Sequence, residues 1–296
     1  MNNEKKNIDH QDDRIKDPLK ALSGTYIDWG KSKEQVWLEM EKKMEPVQPV
    51  RVRVMFAPWM KIAMAAVFAL LIGFAVFMQL YTKTVVIPAG QHSISSLPDG
   101  SMVQLNAQSS ISYKPLLWAF SRNVRFEGEA FFEVEKGKKF QVISGYGKTD
   151  VLGTSFNIYS RNNDYKVTCI TGNVRVTETK NNRAVILHPG EKATLSQQGI
   201  LVVQSGLVAE EALSWIDNKL NFTSVPLRNV FEEIERQYGI LIHFPENLDS
   251  LYTGTFSIKI PVEQTLSLVC KPFNLSYTLK SKDEYIITRN EQRQYK

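Results

Sequence analysis

The sequence predicts a membrane-anchored, multi-domain protein: a short α-helical segment, one transmembrane helix, an all-β domain and a small α+β domain, in that order. Three observations predict it. The stretch from Ile62 to Leu80 holds no charged residue. After Thr84 apolar residues alternate with polar ones in short runs separated by turn signals, the mark of β-structure. Beyond Gly206 helical and strand patterns interleave, as in an α+β module. The expected bounds are 1–57, 58–82, 83–205 and 206–296.

Composition narrows the function classes. Of 296 residues, 43% are apolar and 23% charged, enough to bury cores. The net charge of +5 is spread along the chain, without the basic run that phosphate neutralisation requires, so no direct nucleic-acid contact is expected. The two cysteines, Cys169 and Cys270, lie among apolar neighbours; two buried thiols are favoured over one bridge. Four scattered histidines give no zinc spacing, and neither metal nor cofactor is expected.

Residues 1–17 are polar with a single apolar residue, Ile8, and read as a disordered tail. A helical pattern runs from Pro18 to Trp29 and a stronger one from Lys33 to Lys43. In the latter, Ser32 and Gln35 form a capping box, and Val36, Trp37, Met40 and Met44 share a face. A segment this small stabilises itself poorly. Trp29, Trp37 and Met40 either pack on one another or meet a partner, and the partner is favoured. A proline-containing tether, EPVQPVRVRVMFAP, leads to the membrane.

The uncharged run gives a helix of roughly 28 Å, the thickness of a bilayer's hydrocarbon. Soluble core helices of this length normally keep a polar stripe, and this one has none. Arg51, Arg53 and Lys61 precede it while only Lys83 follows closely, which predicts a cytoplasmic N-terminus; Trp59 and Tyr81 suit the two interfaces.

About a dozen short strands follow. In VRFEGEAFFEV, the residues Val124, Phe126, Ala130, Phe132 and Val134 form one face, and Arg125, Glu127, Glu129 and Glu133 the other, where the carboxylates are expected to be solvated. Gly172-Asn173 between two Val-rich runs reads as a hairpin turn. Gly147-Lys148-Thr149 lacks the earlier glycine of a phosphate loop. No catalytic nucleophile, acid pair or Gly-x-Ser-x-Gly occurs, so an enzyme is not expected. In SVPLRNVFEEIERQYG, Pro226 suits the first helical position, Leu227, Val230, Phe231, Ile234 and Tyr238 share a face, and Gly239 stops the helix. Strands at Ile240–Phe244, Gly254–Ile258, Leu275–Leu279 and Glu284–Thr288 and a helix from Pro261 to Cys270 complete a β-α-β-β-α-β-β module, whose sheet edges could accept a partner strand.

The stretches LPDGSMVQLNAQSSISYKP, RNVRFEGEAFFEV, VLGTSFNIY, ITGNVRV and LHPGEKATL, with WIDNKLNFTSVPLRNVFEEIERQYGILI and TGTFS in the tail, together resemble the FecR-type anti-sigma regulators of bacterial cell-surface signalling, in the form common in Bacteroidota. The resemblance implies a single-pass inner-membrane protein whose β-domain is a solenoid or a sandwich and whose tail resembles the short N-terminal domain of secretins and transducers. It implies cytoplasmic helices, here carrying Trp29, Val36, Trp37, Met40 and Met44, that hold an extracytoplasmic-function sigma factor, inhibiting or assisting it. It also implies a periplasmic region that receives a signal from the N-terminal signalling domain of a TonB-dependent transporter. Some relatives cut themselves at a Gly-Thr bond, and the matching pair is Gly153-Thr154. The alternative reading is a membrane-anchored envelope assembly or glycan-binding protein.

Overall fold

The computed structural model describes residues 30–44, 58–206, 208–245 and 247–290. The tail, the Pro18–Trp29 helix with Trp29 itself, and most of the tether lie outside the described residues.

Helix α1 (Lys33–Lys43) begins where the capping box places it. The Gln35 N–H donates to Ser32 Oγ at 3.3 Å, and the Ser32 N–H donates to Gln35 Oε1 at 3.0 Å, so two otherwise orphaned donors are satisfied reciprocally. Lys42 and Lys43 in the last turn complement the helix dipole. No residue of α1 is buried. Helix α2 (Pro58–Leu80) is long and apolar enough to cross a bilayer, and none of its apolar window is buried in protein.

The β-domain is organised by one long strand. Its first elements are β1 (Lys83–Ile87), β2 (Ser93–Ser96), β3 (Met102–Leu105) and β4 (Ser109–Tyr113), before the 12-residue β5 (Arg122–Glu133). Then come β6 (Phe140–Ile143), β7 (Gly147–Val151), β8 (Ser155–Arg161), β9 (Asp164–Thr171), β10 (Val174–Glu178), β11 (Ala184–Leu187), β12 (Glu191–Leu195) and β13 (Leu201–Ser205). The first half of β5 pairs with β4 and β6, and its second half with β3 and β8. One sheet thus runs β1-β4-β5-β6-β7-β10-β11 and the other β2-β3-β5-β8-β9-β12-β13. Gly128 marks the crossing point: its φ is +113°, and a Cβ there would lie 2.4 Å from Ser109 Oγ, so only glycine fits. Apart from β5·β6, every pair is antiparallel. The nearly closed sheet folds over one core and is nearer the sandwich than the solenoid.

Alternation along β5 buries Val124, Phe126, Ala130 and Phe132. Phe132 stacks on Phe156 at 5.2 Å and meets Phe126 edge-on at 5.6 Å. Each such side chain contributes about 1.5–3 kcal/mol on burial.

Two expectations are corrected here. Gly172-Asn173 does not close a hairpin: β9 pairs with β8 and β12, whereas β10 pairs with β7 and β11 in the other sheet. Alternation fixes which face is buried but leaves the neighbouring strand open. Glu129 is partly covered rather than freely solvated, because the outer face of β5 meets the C-terminal module at that point.

That module follows α3 (Val208–Leu213) and a 3-10 turn, Ser214–Asp217, that buries Trp215. It contains β14 (Lys219–Pro226), α4 (Leu227–Tyr238), β15 (Leu241–His243), β16 (Leu251–Ser257), α5 (Val262–Cys270), β17 (Leu275–Ser281) and β18 (Glu284–Arg289). The order is β-α-β-β-α-β-β, in two small sheets, β14-β16 and β15-β18-β17. Leu227, Val230, Phe231 and Ile234 of α4 are fully buried, and Gly239 ends the helix with φ +67°. Pro226 caps α4 one position earlier than expected. Cys169 and Cys270 are free thiols in separate cores, each pushed up by burial, to about 11 and about 12. A bridge between them is excluded.

Candidate functional site

Three places in the fold carry more than packing. On α1, Val36, Met40 and Met44 lie in a row with Trp37 beside them, between 42% and 62% exposed. A helix with no buried residue keeps these apolar groups available for a partner. Leu38, 64% exposed, points to the opposite side at helical spacing and was not anticipated.

The second place is the Gly153-Thr154 peptide between β7 and β8. Gly153 has φ +143°, and a Cβ on it would lie 2.7 Å from Lys136 Cα, so only glycine is tolerated. The segment is clamped from one side, where the Gly137 N–H donates to the Leu152 carbonyl and the Val134 N–H to the Thr154 carbonyl, both at 2.9 Å. Thr154 is 7% exposed, and its Oγ1 is buried without a hydrogen-bond partner. An unsatisfied buried hydroxyl costs about 1–3 kcal/mol, a cost retained mainly where the group has work to do. An open cleft of about 640 Å³ borders the peptide, with Lys136, Lys139 and Arg175 on its walls.

The clamping loop is itself held by Arg122, which is buried and paired with Asp99. Its guanidinium also donates to the Lys138 carbonyl at 2.8 Å and the Glu135 carbonyl at 3.0 Å. The Asp99 carboxylate accepts from the Ser101 N–H at 3.1 Å, so the LPDGS turn, β5 and the 134–138 loop form one unit.

The third place is the polar junction between the β-domain and the C-terminal module. Glu129 accepts from Asn106 Nδ2 at 2.8 Å and Asn157 Nδ2 at 3.1 Å. Both amides are oriented by donors that cannot be reversed. The Ala107 N–H donates to Asn106 Oδ1 at 2.7 Å and the Trp215 indole to Asn157 Oδ1 at 3.3 Å. From α4, Gln237 Nε2 reaches Asn106 Oδ1 at 2.8 Å and Glu233 Oε1 at 2.7 Å, while His92 Nε2 lies 2.9 Å from Gln237 Oε1. Burial raises the Glu129 carboxyl to about 7, helped by the Glu233 charge and opposed by Arg161 and the two amides. The Tyr159 hydroxyl is raised as well, first by burial and then by Glu233. The helical pattern of α4 marked its apolar face and missed Arg236, buried on the opposite side, and Gln237, buried at the edge of that face. Among the described residues no group of His, Cys, Asp and Glu could hold a metal ion.

The model of the FecR protein domain matches residues 83–175, and that of the FecR C-terminal domain matches residues 219–287, in the order the sequence predicts and together over half the chain. The chain belongs to the FecR family. Two crystal structures of a candidate anti-sigma factor from Parabacteroides distasonis ATCC 8503 resemble this FecR protein over both domains. One, at 2.50 Å resolution, is 25% identical with a TM-score of 0.64, covering 71% of this chain and 100% of its own. The other, at 1.65 Å, is 25% identical with a TM-score of 0.63, covering 70% and 99%. No curated protein matches the sequence. The stretch matched by the FecR domain model contains the Arg122–Asp99 unit and the Gly153-Thr154 turn.

Proposed function

We propose that this FecR protein is a single-pass inner-membrane anti-sigma factor with a cytoplasmic N-terminus. It relays a periplasmic signal from the N-terminal signalling domain of a TonB-dependent transporter to an extracytoplasmic-function sigma factor. The observation that carries the reading is the capped α1 helix, whose apolar row is exposed and lies N-terminal to a helix fit to span a bilayer. The two FecR domains lie beyond that helix. An unpartnered amphipathic helix laid into an apolar groove is a common recognition mode.

The test is affinity capture of the full chain from detergent-solubilised membranes, read by mass spectrometry beside Trp37→Asp and Met40→Asp. Recovery of one alternative sigma factor from the parent alone supports the relay. Its absence from a well-expressed parent favours the envelope-binding alternative. Deleting the gene then separates inhibition from assistance, because transcription from the sigma-dependent promoter rises in the first case and falls in the second.

A second reading, single-turnover self-cleavage, is favoured by the orphaned Thr154 hydroxyl beside the Gly153 carbonyl. The Thr154 hydroxyl oxygen bonds to the Gly153 carbonyl carbon, the Gly153–Thr154 C–N bond breaks, and the hydroxyl proton passes to the freed amine. Water then hydrolyses the ester, leaving a Gly153 carboxylate and the Thr154 hydroxyl. Immunoblots should show a fragment beginning at Thr154 in the parent and in Thr154→Ser, and none in Thr154→Ala. Identical fragments in Thr154→Ala would remove this reading.

A further inference from the structure

Strand register brings several loops to one end of the β-domain. Lys83 pairs with Tyr113, Tyr113 with Val124, Arg122 with Phe140 and Phe140 with Val151. The start of β1, the end of β4, the starts of β5 and β6 and the end of β7 therefore lie side by side. This is the end at which the chain enters the domain, since only Tyr81 and Thr82 separate Leu80, the last residue of α2, from Lys83. Three residue steps keep the Lys83 Cα within roughly 11 Å of the end of α2. The C-terminal module is held at the other end. There the Gly90 N–H, beyond β1, donates to the Arg236 carbonyl at 2.8 Å, and Asn162, beyond β8, donates to Glu232 at 3.1 Å.

The loop between β4 and β5, residues 114–121, belongs to the entry end and sorts its apolar side chains in two ways. Trp118 is buried, edge-on to Tyr113 at 5.4 Å and to Phe140 at 5.9 Å. Around it the Leu117 N–H donates to the Lys114 carbonyl at 3.2 Å, the Phe120 N–H to the Leu117 carbonyl at 3.0 Å, and Lys138 Nζ to the Ala119 carbonyl at 3.3 Å. So anchored, the loop turns Leu116 and Phe120 outward, 40% and 82% exposed. Among the described residues no large apolar side chain is more exposed than Phe120, those of α2 included. Leu152, at the end of β7, adds a third exposed apolar group to the same end. Single exposed apolar residues are ordinary, but a group of them held outward on an anchored turn marks a contact surface.

The charges at this end favour an anionic partner. Arg122 is paired with Asp99, and Lys139 with Asp150 at 3.1 Å. Outside those pairs stand the cations Lys83, Lys114, Lys136 and Lys138, with Arg175 on β10 at the far margin. None of these five forms an ion pair. Against them are the exposed Glu133 and Glu135, and Glu191, which accepts from the His188 N–H at 2.8 Å. Apolar tips within a fringe of lysines match a bilayer surface, where rings lodge at the headgroup level and ammonium groups meet lipid phosphates.

We propose that residues 114–121 form a membrane-docking loop: Phe120 and Leu116 enter the headgroup region of the bilayer that α2 crosses, and Lys83, Lys114 and Lys138 bind its phosphate groups. The inference rests on the reading of α2 as a membrane span. Docking replaces a swivel at Tyr81-Thr82 by a fixed stance, with the C-terminal module at the far end of the β-domain and the Gly153-Thr154 turn, just past β7, on the membrane side.

The test is the full chain in vesicles of phosphatidylethanolamine and phosphatidylglycerol, with a nitrobenzoxadiazole dye on one introduced cysteine and spin-labelled lipids as quenchers. The dye is placed at Ala119→Cys in the loop, at Lys180→Cys in the β10–β11 turn of the opposite end, or at Gly73→Cys within α2, all exposed positions. Cys169 and Cys270 are buried and resist labelling. Lipids labelled near the headgroup should quench the dye at position 119 and not at 180, and Leu116→Asp with Phe120→Asp should abolish the quenching at 119. Lipids labelled deep in the acyl chain report the span separately, through position 73. Quenching at 73 without quenching at 119 overturns docking and leaves the span standing. An unquenched 73 overturns the span, and the proposal with it. Quenching at 119 that survives the double variant shows that the short link alone brings the loop near the surface, which also overturns docking. If the double variant does not fold, Lys83→Glu, Lys114→Glu and Lys138→Glu together decide: loss of quenching at 119 supports docking, and unchanged quenching rejects it.

Discussion

Gly172 lies directly on Thr154. A Cβ at Gly172 would meet Thr154 Cγ2 at 2.6 Å and the Gly153 carbonyl oxygen at 3.4 Å, so the turn leaving β9 closes over the Gly153-Thr154 peptide as a lid one atom thin. This explains why the Gly-Asn pair fails as a hairpin. Its task is to carry the chain over Thr154 and into the other sheet. Gly172 also has φ +73°, which adds backbone strain to the clash for any other residue. Gly172→Ala should destabilise the β-domain by about 1–3 kcal/mol, seen as a lower urea midpoint at unchanged slope. A parental midpoint would mean that the turn shifts freely.

Breaking the buried Arg122–Asp99 pair should be costlier. Asp99→Ala leaves a guanidinium with its Nε already unpartnered enclosed among carbonyls. Removing one member of such a pair typically costs about 3–5 kcal/mol. Arg122→Lys should be costly in its own right, because a single ammonium cannot reach Asp99 and the Lys138 and Glu135 carbonyls with the geometry of the guanidinium fork. Thermal denaturation of the two single variants and the double variant gives the coupling. Additive losses would show that the pair is not an energetic unit.

The same Glu129 that bridges the domains should mark the pH dependence of stability. Its carboxyl rises from 4.5 to about 7 on folding, so the native state binds the proton more tightly than the unfolded chain. Stability from this group is intact below about pH 4.5 and is lost as pH climbs through about 7, by about 3 kcal/mol at most. Urea denaturation at pH 5 and pH 8 should show a smaller difference in Glu129→Gln than in the parent. Equal differences would assign the dependence to other groups.

How far the sequence carried this reading depended on how many layers cover each element. In α1 the Ser32–Gln35 box is a local device, and the helix begins where it says. In α4 and β5 the periodicities mark Phe231, Ile234, Phe126 and Phe132 as interior, and they are. Periodicity assumes one buried face, however. Glu129 on β5 and Arg236 on α4 occupy the polar faces of their elements, Gln237 sits at the edge of the apolar face of α4, and these groups meet in a second, polar layer. The signal available was chemical: Asn106, Glu129, Asn157 and Gln237 are neutral or singly charged groups with complementary donors and acceptors. Their pairing, with as many as 131 positions between partners, is set by strand order, which alternation leaves open. The close packing around Gly153-Thr154 was equally hidden, because it arises from Lys136 and Gly172, remote in sequence.

Folding and binding should separate cleanly on α1. Since none of its residues is buried, its helicity rests on the capping box and on local pairs such as Lys31 with Glu39 at 2.6 Å, and isolated helices of this length are marginal. Ser32→Ala should cost about 1 kcal/mol of helix stability, read as faster hydrogen exchange over residues 33–43 in the full chain. Trp37→Asp, 62% exposed in the parent, should leave that exchange nearly unchanged and yet abolish sigma-factor capture, because it removes only the apolar surface offered to the partner. Ser32→Ala should weaken capture in proportion to the helicity lost, since the partner must then supply the ordering free energy. Should Trp37→Asp accelerate exchange as much as Ser32→Ala does, Trp37 would be holding the helix together, and the exposed row would lose its meaning as a docking face.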